Sequence, residues 1–374
     1  MNNISADPKG SSSKRLTNIE LLRILAMFLI VVYHFSWYGN FNFPSSAISA
    51  NRLWTQFMQL GGKFGVNIFV LISGYFLVKS PEIKINKLVK LWFQIFTYSI
   101  LIYLIFVISG VQSFAIKDVL KSLLPVTFST WWFASAYIML YLVSPFLNKF
   151  LYSIDKKTYQ KIILLLTFCW CIIPTFTSHK VECNKLNWFI YLYMIAGYIR
   201  IHLADKHFSG KKYIIYSLIC LALTYLSTIV FDILGLKISF LGNHAMFFYT
   251  IEKAPIVLAS VFMFIGFLNL NVKHSKVINT VSSATFGVYL IHDHELVRNF
   301  LWNTLFNQTN FTYSKSLIIY SIFAVLSVYV VCTIIALTRK HTIERLFAPV
   351  NDKVSNIISK IVEKCCSDKF LSKW

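Results

Sequence analysis

The chain has 374 residues, of which 56% are hydrophobic and 14% charged, and its formal charge is +21. Soluble globular domains have a charged share nearer about 25%, so this composition excludes that class and predicts an all-α polytopic membrane protein. The basic residues lie mainly in the short connections between apolar runs, which fits membrane topology and argues against a nucleic-acid surface.

Apolar runs along the chain predict about ten transmembrane helices. The runs lie near 18–37, 60–78, 91–110, 131–148, 161–177, 187–201, 212–231, 246–270, 281–302 and 317–338. Every second connection is richer in basic residues, as in Lys79, Lys84, Lys87 and Lys90 compared with Lys117 and Lys121. By the positive-inside rule, the richer connections and both termini are cytoplasmic, which requires an even number of spans. Residues 1–15 are polar and no cleavage site follows them, so the first run is expected to stay as an anchor.

The first run, from Asn18 to Trp37, contains two ionisable side chains, Arg23 and His34. The two positions are eleven apart, which is close to three helical turns, so they share a face and lie roughly 16 Å apart along the axis. Polar groups at membrane depth usually face a protein interior or a water-filled cavity and mark a site. The alternative is that Arg23 snorkels to the headgroups and that His34 caps the far interface.

The second run combines small residues with an amide. Gly61, Gly65, Ser73 and Gly74 favour close approach of helix backbones, and packing is the interpretation we prefer for the glycines. Asn67 lies at membrane depth, where its amide needs polar partners, so we treat it as part of a substrate site or a buried polar network.

Lys87 and Lys90 precede the third run and are three residues apart, hence neighbours on one face of a helix. Two ammonium groups at a membrane entrance can hold phosphates as point charges. The alternative is the ordinary positive-inside bias.

Several motifs together resemble the bacterial acyltransferase 3 family of integral-membrane acyltransferases. They are the Arg23 and His34 pair, the stretch from Phe69 to Tyr75 (FVLISGY), the paired basic residues Lys87 and Lys90, the segments 131–133 (WWF) and 141–145 (YLVSP), and the stretch from Ser283 to His292 (SATFGVYLIH). Their order also matches that family, and they cover roughly positions 16–338.

The resemblance implies transfer of an acyl group, usually acetyl from acetyl-CoA, to a hydroxyl of an extracytoplasmic glycan of the cell envelope. It implies that His34 is catalytic, that Arg23 assists it, and that Lys87 and Lys90 engage the acyl donor. Family members commonly carry Arg at the two lysine positions, and some carry Glu near Ser283, so this chain departs from the family's pattern at these positions. It also implies a multi-pass protein of a bacterial cell membrane, in contact with the lipid bilayer.

The chemistry of the residues agrees with this. A base near neutral pH suits transfer to a hydroxyl, and imidazole supplies one. His292 is expected at a membrane depth similar to that of His34, so we predict that both imidazoles face one cavity open to the outside. His292, Asp293, His294 and Glu295 are residue types of metal sites, but only His292 and Glu295 share a helix face, and we expect a buried polar network and no metal.

The sequence therefore predicts three parts: a polar cytoplasmic segment 1–15, an acyltransferase transmembrane domain 16–340 and a cytoplasmic amphipathic tail 341–374. Nothing in the sequence points to a particular oligomeric state. The alternative function is a polytopic transporter or flippase of a glycan or lipid, which also places polar residues at membrane depth. The lack of a repeated half argues against it.

Overall fold

In a computed structural model, the chain is a bundle of α-helices, described for residues 15–44, 47–177 and 183–365. The first half contains α1 (Thr17–Tyr38), α2 (Ala50–Gln59), α3 (Gly61–Leu77), α4 (Ile85–Ile108), α5 (Ile116–Leu123), α6 (Trp132–Ser153), α7 (Lys156–Thr167) and α8 (Ile173–Phe176). The second half contains α9 (Lys185–His202), α10 (Gly210–Gly235), α11 (Ser239–Asn243), α12 (Ala254–Leu268), α13 (Lys276–Ser282), α14 (Thr285–His292), α15 (Glu295–Asn299), α16 (Leu317–His341), α17 (Ile343–Leu346) and α18 (Ala348–Cys365). Most of the predicted polar segment, residues 1–14, and the end of the predicted tail, residues 366–374, lie outside the described residues.

Eight segments of the described chain are long and apolar enough to cross a membrane. They are Thr17–Tyr38, Ala50–Leu77, Ile85–Ile108, Trp132–Ser153, Lys156–Phe176, Gly210–Gly235, Ser239–Leu268 and Leu317–Leu346. Each overlaps one of the runs found in the sequence, so the chain is an all-α polytopic membrane protein.

The two other predicted runs have different structures. The run near 187–201 forms α9, a single helix packed against α3 and α6. The run near 281–302 is not one continuous helix, and that prediction is wrong. It divides into α13, α14, α15 and a π-helical turn, Phe300–Leu305. At the second break the side chain of His294 accepts a hydrogen bond from the backbone of Leu296, so a polar side chain caps a new helix where an apolar run would have continued.

Helices α1 and α3 form the centre of the bundle. In the most apolar part of each span, 61% of residues are buried for Thr17–Tyr38 and 72% for Ala50–Leu77, compared with 17% for Gly210–Gly235 on the periphery. The small residues of α3 let its backbone approach α1 and α9 closely. A Cβ added to Gly65 would lie 2.7 Å from the carbonyl oxygen of Ala26, and one added to Gly74 would lie 3.0 Å from Cα of Tyr193. The packing interpretation of these glycines is confirmed.

A buried ion pair joins α2 to α10 at the end of the bundle opposite the N-terminus. Arg52 Nη2 donates to Asp232 Oδ1 at 2.6 Å and Arg52 Nε donates to Asp232 Oδ2 at 3.3 Å. Asp232, a polar group without a role in the sequence analysis, therefore neutralises a buried guanidinium.

At the other end, α18 packs against α4, where Asn86 donates a hydrogen bond to Asp352 at 2.8 Å. An apolar face of α18 is exposed at Val354, Ile357, Ile361 and Val362. Such a face suits a membrane surface, as expected of the predicted tail.

Candidate active site

Two histidines from distant parts of the sequence meet inside the bundle. His34 on α1 and His292 at the end of α14 are both buried, with 7% and 0% of their surface exposed. The Nδ1 atom of His34 and the Nε2 atom of His292 are 2.9 Å apart. The structure thus places together the two imidazoles that the sequence predicted at similar membrane depth.

Hydrogen bonding fixes the proton positions of this histidine pair. His292 Nδ1 lies 2.6 Å from the carbonyl oxygen of Val288, which can only accept, so Nδ1 carries the proton. In neutral His292 the Nε2 atom is then an acceptor, and it takes its hydrogen bond from Nδ1–H of His34. Neutral His34 therefore keeps an unprotonated Nε2 atom, which is the basic nitrogen of the pair.

Asp293 faces this basic nitrogen. Its Oδ1 atom is 3.7 Å from His34 Nε2, too far for a hydrogen bond but close enough to stabilise an imidazolium. Tyr38 donates to the same carboxylate oxygen at 3.2 Å, and Arg298 Nη1 lies 3.9 Å from it. These contacts hold the carboxylate in place, so the pair and Asp293 form a polar network at the C-terminal ends of α1 and α14.

A narrow cavity of about 40 Å³ reaches His34 and Asp293. Its wall includes Met27 and Ile30, which lie on the face of α1 between Arg23 and His34, and Lys63 from α3. The ammonium group of Lys63 lies over the rings of Tyr33 and Trp132, at 5.3 Å and 5.9 Å from their centroids. A volume of this size holds little more than one or two water molecules, so it is a passage or a reaction chamber and not a site for a whole substrate.

A larger cavity of about 420 Å³ lies on the side of the N-terminus. Four basic residues, Arg15, Arg23, Arg339 and Lys340, line it, together with one acidic residue, Glu344. Phe69, Phe133 and Phe286 line both this cavity and the His34 cavity. We refer to these three side chains as the phenylalanine collar. The collar is the boundary between a basic vestibule and the histidine pair.

A third cavity of about 390 Å³ lies on the opposite side of the His34 cavity and shares Lys63 and Trp132 with it. It is rich in tryptophan and basic side chains, including Trp170, Trp188 and Lys185. Exposed tryptophan faces commonly stack on apolar faces of ligands, and the polar groups beside them can contact hydroxyls. The three cavities therefore form a series through the bundle, with the histidine pair in the middle.

A fourth cavity of about 670 Å³ lies at the same end as the tryptophan-rich one, between α1, α2 and residues 242–253. Its wall includes Trp37, Gln56 and His244, but no residue of the His34 cavity. His244 and Glu252, both without a role in the sequence analysis, line the fourth and the third cavity respectively.

The other sequence-predicted site residues occupy different places. Arg23 lines the basic vestibule and lies 3.6 Å from Glu20, a buried carboxylate that accepts a hydrogen bond from Ser282. Lys87 and Lys90 are exposed and line none of the cavities described above, although they precede Leu91 and Gln94, which line the vestibule, on the same helix. Asn67 is fully buried, donates to the carbonyl oxygen of Ile251 at 3.1 Å and accepts from Trp188 at 3.0 Å. Both of its hydrogen-bond partners, Trp188 and Ile251, line the third cavity.

The cluster from His292 to Glu295 does not converge on one point. His292 and Asp293 join the network around His34, the ring of His294 contacts that of Trp131 at 5.2 Å, and Glu295 is exposed. Within the described ranges, no group of three His, Cys, Asp or Glu side chains is placed to hold a metal ion.

Lys63 is the site residue that sequence reasoning missed. A lysine near the outer end of an apolar run has the appearance of an interfacial anchor, and only the packing of α6 against α3 brings Trp132 to it. The signal in the sequence that could have identified Lys63 as a site residue was its position among glycines and near polar residues at membrane depth.

Comparison with known proteins adds one result. The sequence model of a family described as an acyltransferase domain matches residues 16–337, which is most of the chain. Searches of curated protein sequences and of solved structures found no match.

Proposed function

Because the chain belongs to the acyltransferase 3 family, we propose that it transfers an acyl group, acetyl in the simplest case, from acyl-CoA to a hydroxyl of a cell-envelope polysaccharide or glycolipid. The observation that carries this proposal is the oriented histidine pair at the narrowest point of a series of cavities. That arrangement supplies a base to a place that two substrates reach from opposite ends.

His34 Nε2 is the proposed general base. The oxygen of the acceptor hydroxyl attacks the carbonyl carbon of the thioester and gives its proton to Nε2, while the carbon–sulfur bond breaks. The resulting imidazolium lies 3.7 Å from the Asp293 carboxylate. The same nitrogen then returns the proton to the departing sulfur. Lys63 and Tyr33 line the chamber, and their ammonium and hydroxyl groups are the proposed donors that favour negative charge on the carbonyl oxygen. The acyl donor is a substrate, and its thioester supplies the acyl group.

The two substrates are assigned to opposite cavities by their chemistry. The phosphates of the donor favour the basic vestibule, which has Arg23 in its wall. Lys87 and Lys90 near its mouth are the proposed point charges for the donor. A sugar acceptor favours the tryptophan-rich cavity, which shares Lys63 and Trp132 with the His34 chamber. Asn67 supports that cavity from behind through Trp188.

The proposed topology has ten crossings, counting α9 and the broken segment of α13, α14 and α15 as two of them, and both termini in the cytoplasm. The excess of basic residues on the side of the N-terminus supports it. The proposed location is a bacterial cell membrane, and the proposed acyltransferase domain is 16–340, followed by the tail 341–374.

The direct test uses a bacterial strain that lacks the protein, complemented with wild type, His34→Ala or the control His207→Ala, at equal membrane abundance. His207 is an exposed histidine outside the cavities described above. Acetyl content of the envelope glycans is measured. We expect restoration by wild type and by the control, and a loss of about 10²-fold or more in rate with His34→Ala.

Full restoration by His34→Ala would show that His34 is structural. Acetyl content that never depends on the protein, together with no hydrolysis of acetyl-CoA by the purified protein, would reject acyl transfer and favour the transporter reading.

A further inference from the structure

Arg339 is a buried arginine whose hydrogen-bonding capacity is mostly unused. It lies near the end of α16 with 6% of its surface exposed, and it lines the basic vestibule. Nη2 donates to Glu344 at 2.9 Å, whereas Nε and Nη1 have no hydrogen-bond partner among the described residues. A guanidinium is always charged, and leaving its donors unpaired in a buried place is costly.

Its surroundings reinforce the positive charge. Arg15, Arg23 and Lys340 line the same vestibule, and Glu344 is the one acidic residue in its described wall. Arg23 is already paired with Glu20 at 3.6 Å and Arg15 donates to the carbonyl oxygen of Asn279 at 3.3 Å. The guanidinium of Arg339 also lies near the ring of Tyr98, with 5.2 Å from Cζ to the ring centroid, which is a cation–π distance.

We propose that Arg339 is the centre of an anion site in the vestibule that binds phosphate oxygens, those of the CoA moiety of the acyl donor. The vacant Nε and Nη1 groups of a planar guanidinium can each donate to a phosphate oxygen in a direction that the plane sets, whereas the ammonium groups of Lys87 and Lys90 act only as point charges. The assignment of the phosphate to CoA rests on the proposed function. The phenylalanine collar lies between this vestibule and the His34 cavity. When Arg339 holds the phosphates, the uncharged arm of the donor can extend through the collar toward His34.

The test compares binding of CoA with binding of pantetheine, which lacks phosphate, to purified full-length protein. The variants are Arg339→Ala, Arg339→Lys and the control Arg345→Ala. Arg345 is an exposed basic residue six positions later that does not line the vestibule. We expect Arg339→Ala to weaken CoA binding by about tenfold or more, Arg339→Lys to restore part of it, and pantetheine binding to stay unchanged in all variants. The control is expected to bind CoA like wild type.

A second readout separates this site from the proposed reaction. In hydrolysis assays without acceptor, Arg339→Ala should raise KM for acetyl-CoA and leave the rate with acetyl-pantetheine unchanged. If CoA binds through Arg339 but no donor is hydrolysed, the anion site stands and the proposed function fails.

Three results would overturn the proposal. Two of them, equal CoA binding by wild type and Arg339→Ala and equal losses for CoA and pantetheine, would remove the site itself. The third, displacement of CoA by phosphatidylglycerol added to the detergent, would overturn the assignment to CoA and give the phosphate to a lipid headgroup. Arg339→Lys, which keeps the charge next to Glu344, serves if the alanine variant fails to fold.

Discussion

The carbonyl oxygen of Val288 determines which nitrogen of His34 is basic, although the two groups do not touch. Val288 orients His292, and His292 in turn accepts the Nδ1 proton of His34. The carbonyl oxygen can only accept, so it selects the tautomer of neutral His292, and His292 in turn selects the tautomer of neutral His34. The base therefore depends on a residue that need not contact either substrate, which makes His292 a positioning residue.

Replacing His292 separates orientation from proton transfer. His292→Gln places an amide near the position of Nε2, where its oxygen can still accept from His34, whereas His292→Phe keeps a ring but no acceptor. We expect the Phe variant to lose about 10- to 100-fold in acetyl-CoA hydrolysis and the Gln variant to retain most of it. Unfolding temperatures of both variants in detergent check that the fold persists. Equal losses in the two variants would mean that His292 itself moves a proton, and no loss in the Phe variant would remove it from the site.

At this scale the sequence predicts the polar residues and the proximity of His34 to His292, but not the other partners. Arg23, His34 and His292 stand out because they interrupt apolar runs, where polar groups are costly. Their separation into a vestibule and a chamber was not predictable, since it depends on the collar that three helices build between them. Lys63 and Arg339 resemble ordinary residues of a membrane interface when only the chain is read.

The contact between α1 and α3 sets the position of His34. The apolar runs predicted most of the membrane-spanning helices correctly, because the length of an apolar run can be read directly from the sequence. The breaks around α14 were missed because they arise from polar side chains that bond locally, as His294 does with the backbone of Leu296. The small residues of α3, in contrast, did indicate the close packing that is observed.

Gly65→Ala tests this contact. The added Cβ would lie 2.7 Å from the backbone carbonyl oxygen of Ala26, so α1 and α3 must separate. We expect a loss of about 1–3 kcal/mol in the free energy of unfolding, because backbone cannot move aside as a side chain can, together with lower hydrolysis of acetyl-CoA. Thermal unfolding in detergent and the hydrolysis assay measure the two effects.

Gly61→Ala on the same helix is the matched control. Its Cβ would lie 3.0 Å from Cβ and Cδ2 of Leu29, so it meets side-chain atoms and no backbone carbonyl, and a shift of a few tenths of an ångström relieves the contact. We expect near wild-type stability and activity for it. Equal behaviour of the two variants would show that the spacing of α1 and α3 does not control the site.

Seen as a whole, the bundle joins a basic vestibule at one end to a tryptophan-rich cavity at the other through a chamber of about 40 Å³. Part of the net positive charge of the chain is concentrated at one site, because four basic side chains line the vestibule in addition to those that set topology. The two larger cavities differ in chemistry in the way that a phosphate-bearing donor and a sugar acceptor differ. A transporter would need a route wide enough for its cargo, and the chamber is narrow.

The collar of Phe69, Phe133 and Phe286 is then expected to select the acyl chain. Phe286→Ala widens the collar without removing a polar group, so longer chains should pass more readily. We expect the ratio of hexanoyl-CoA to acetyl-CoA hydrolysis to rise by about tenfold or more, since each methylene accepted by an apolar pocket changes binding by about 1–3 kcal/mol. Phe76→Ala, at a side chain that is 41% exposed and lines none of the cavities described above, controls for a general loss of packing. An unchanged ratio in Phe286→Ala, with the overall rate retained, would place the route of the acyl group outside the collar.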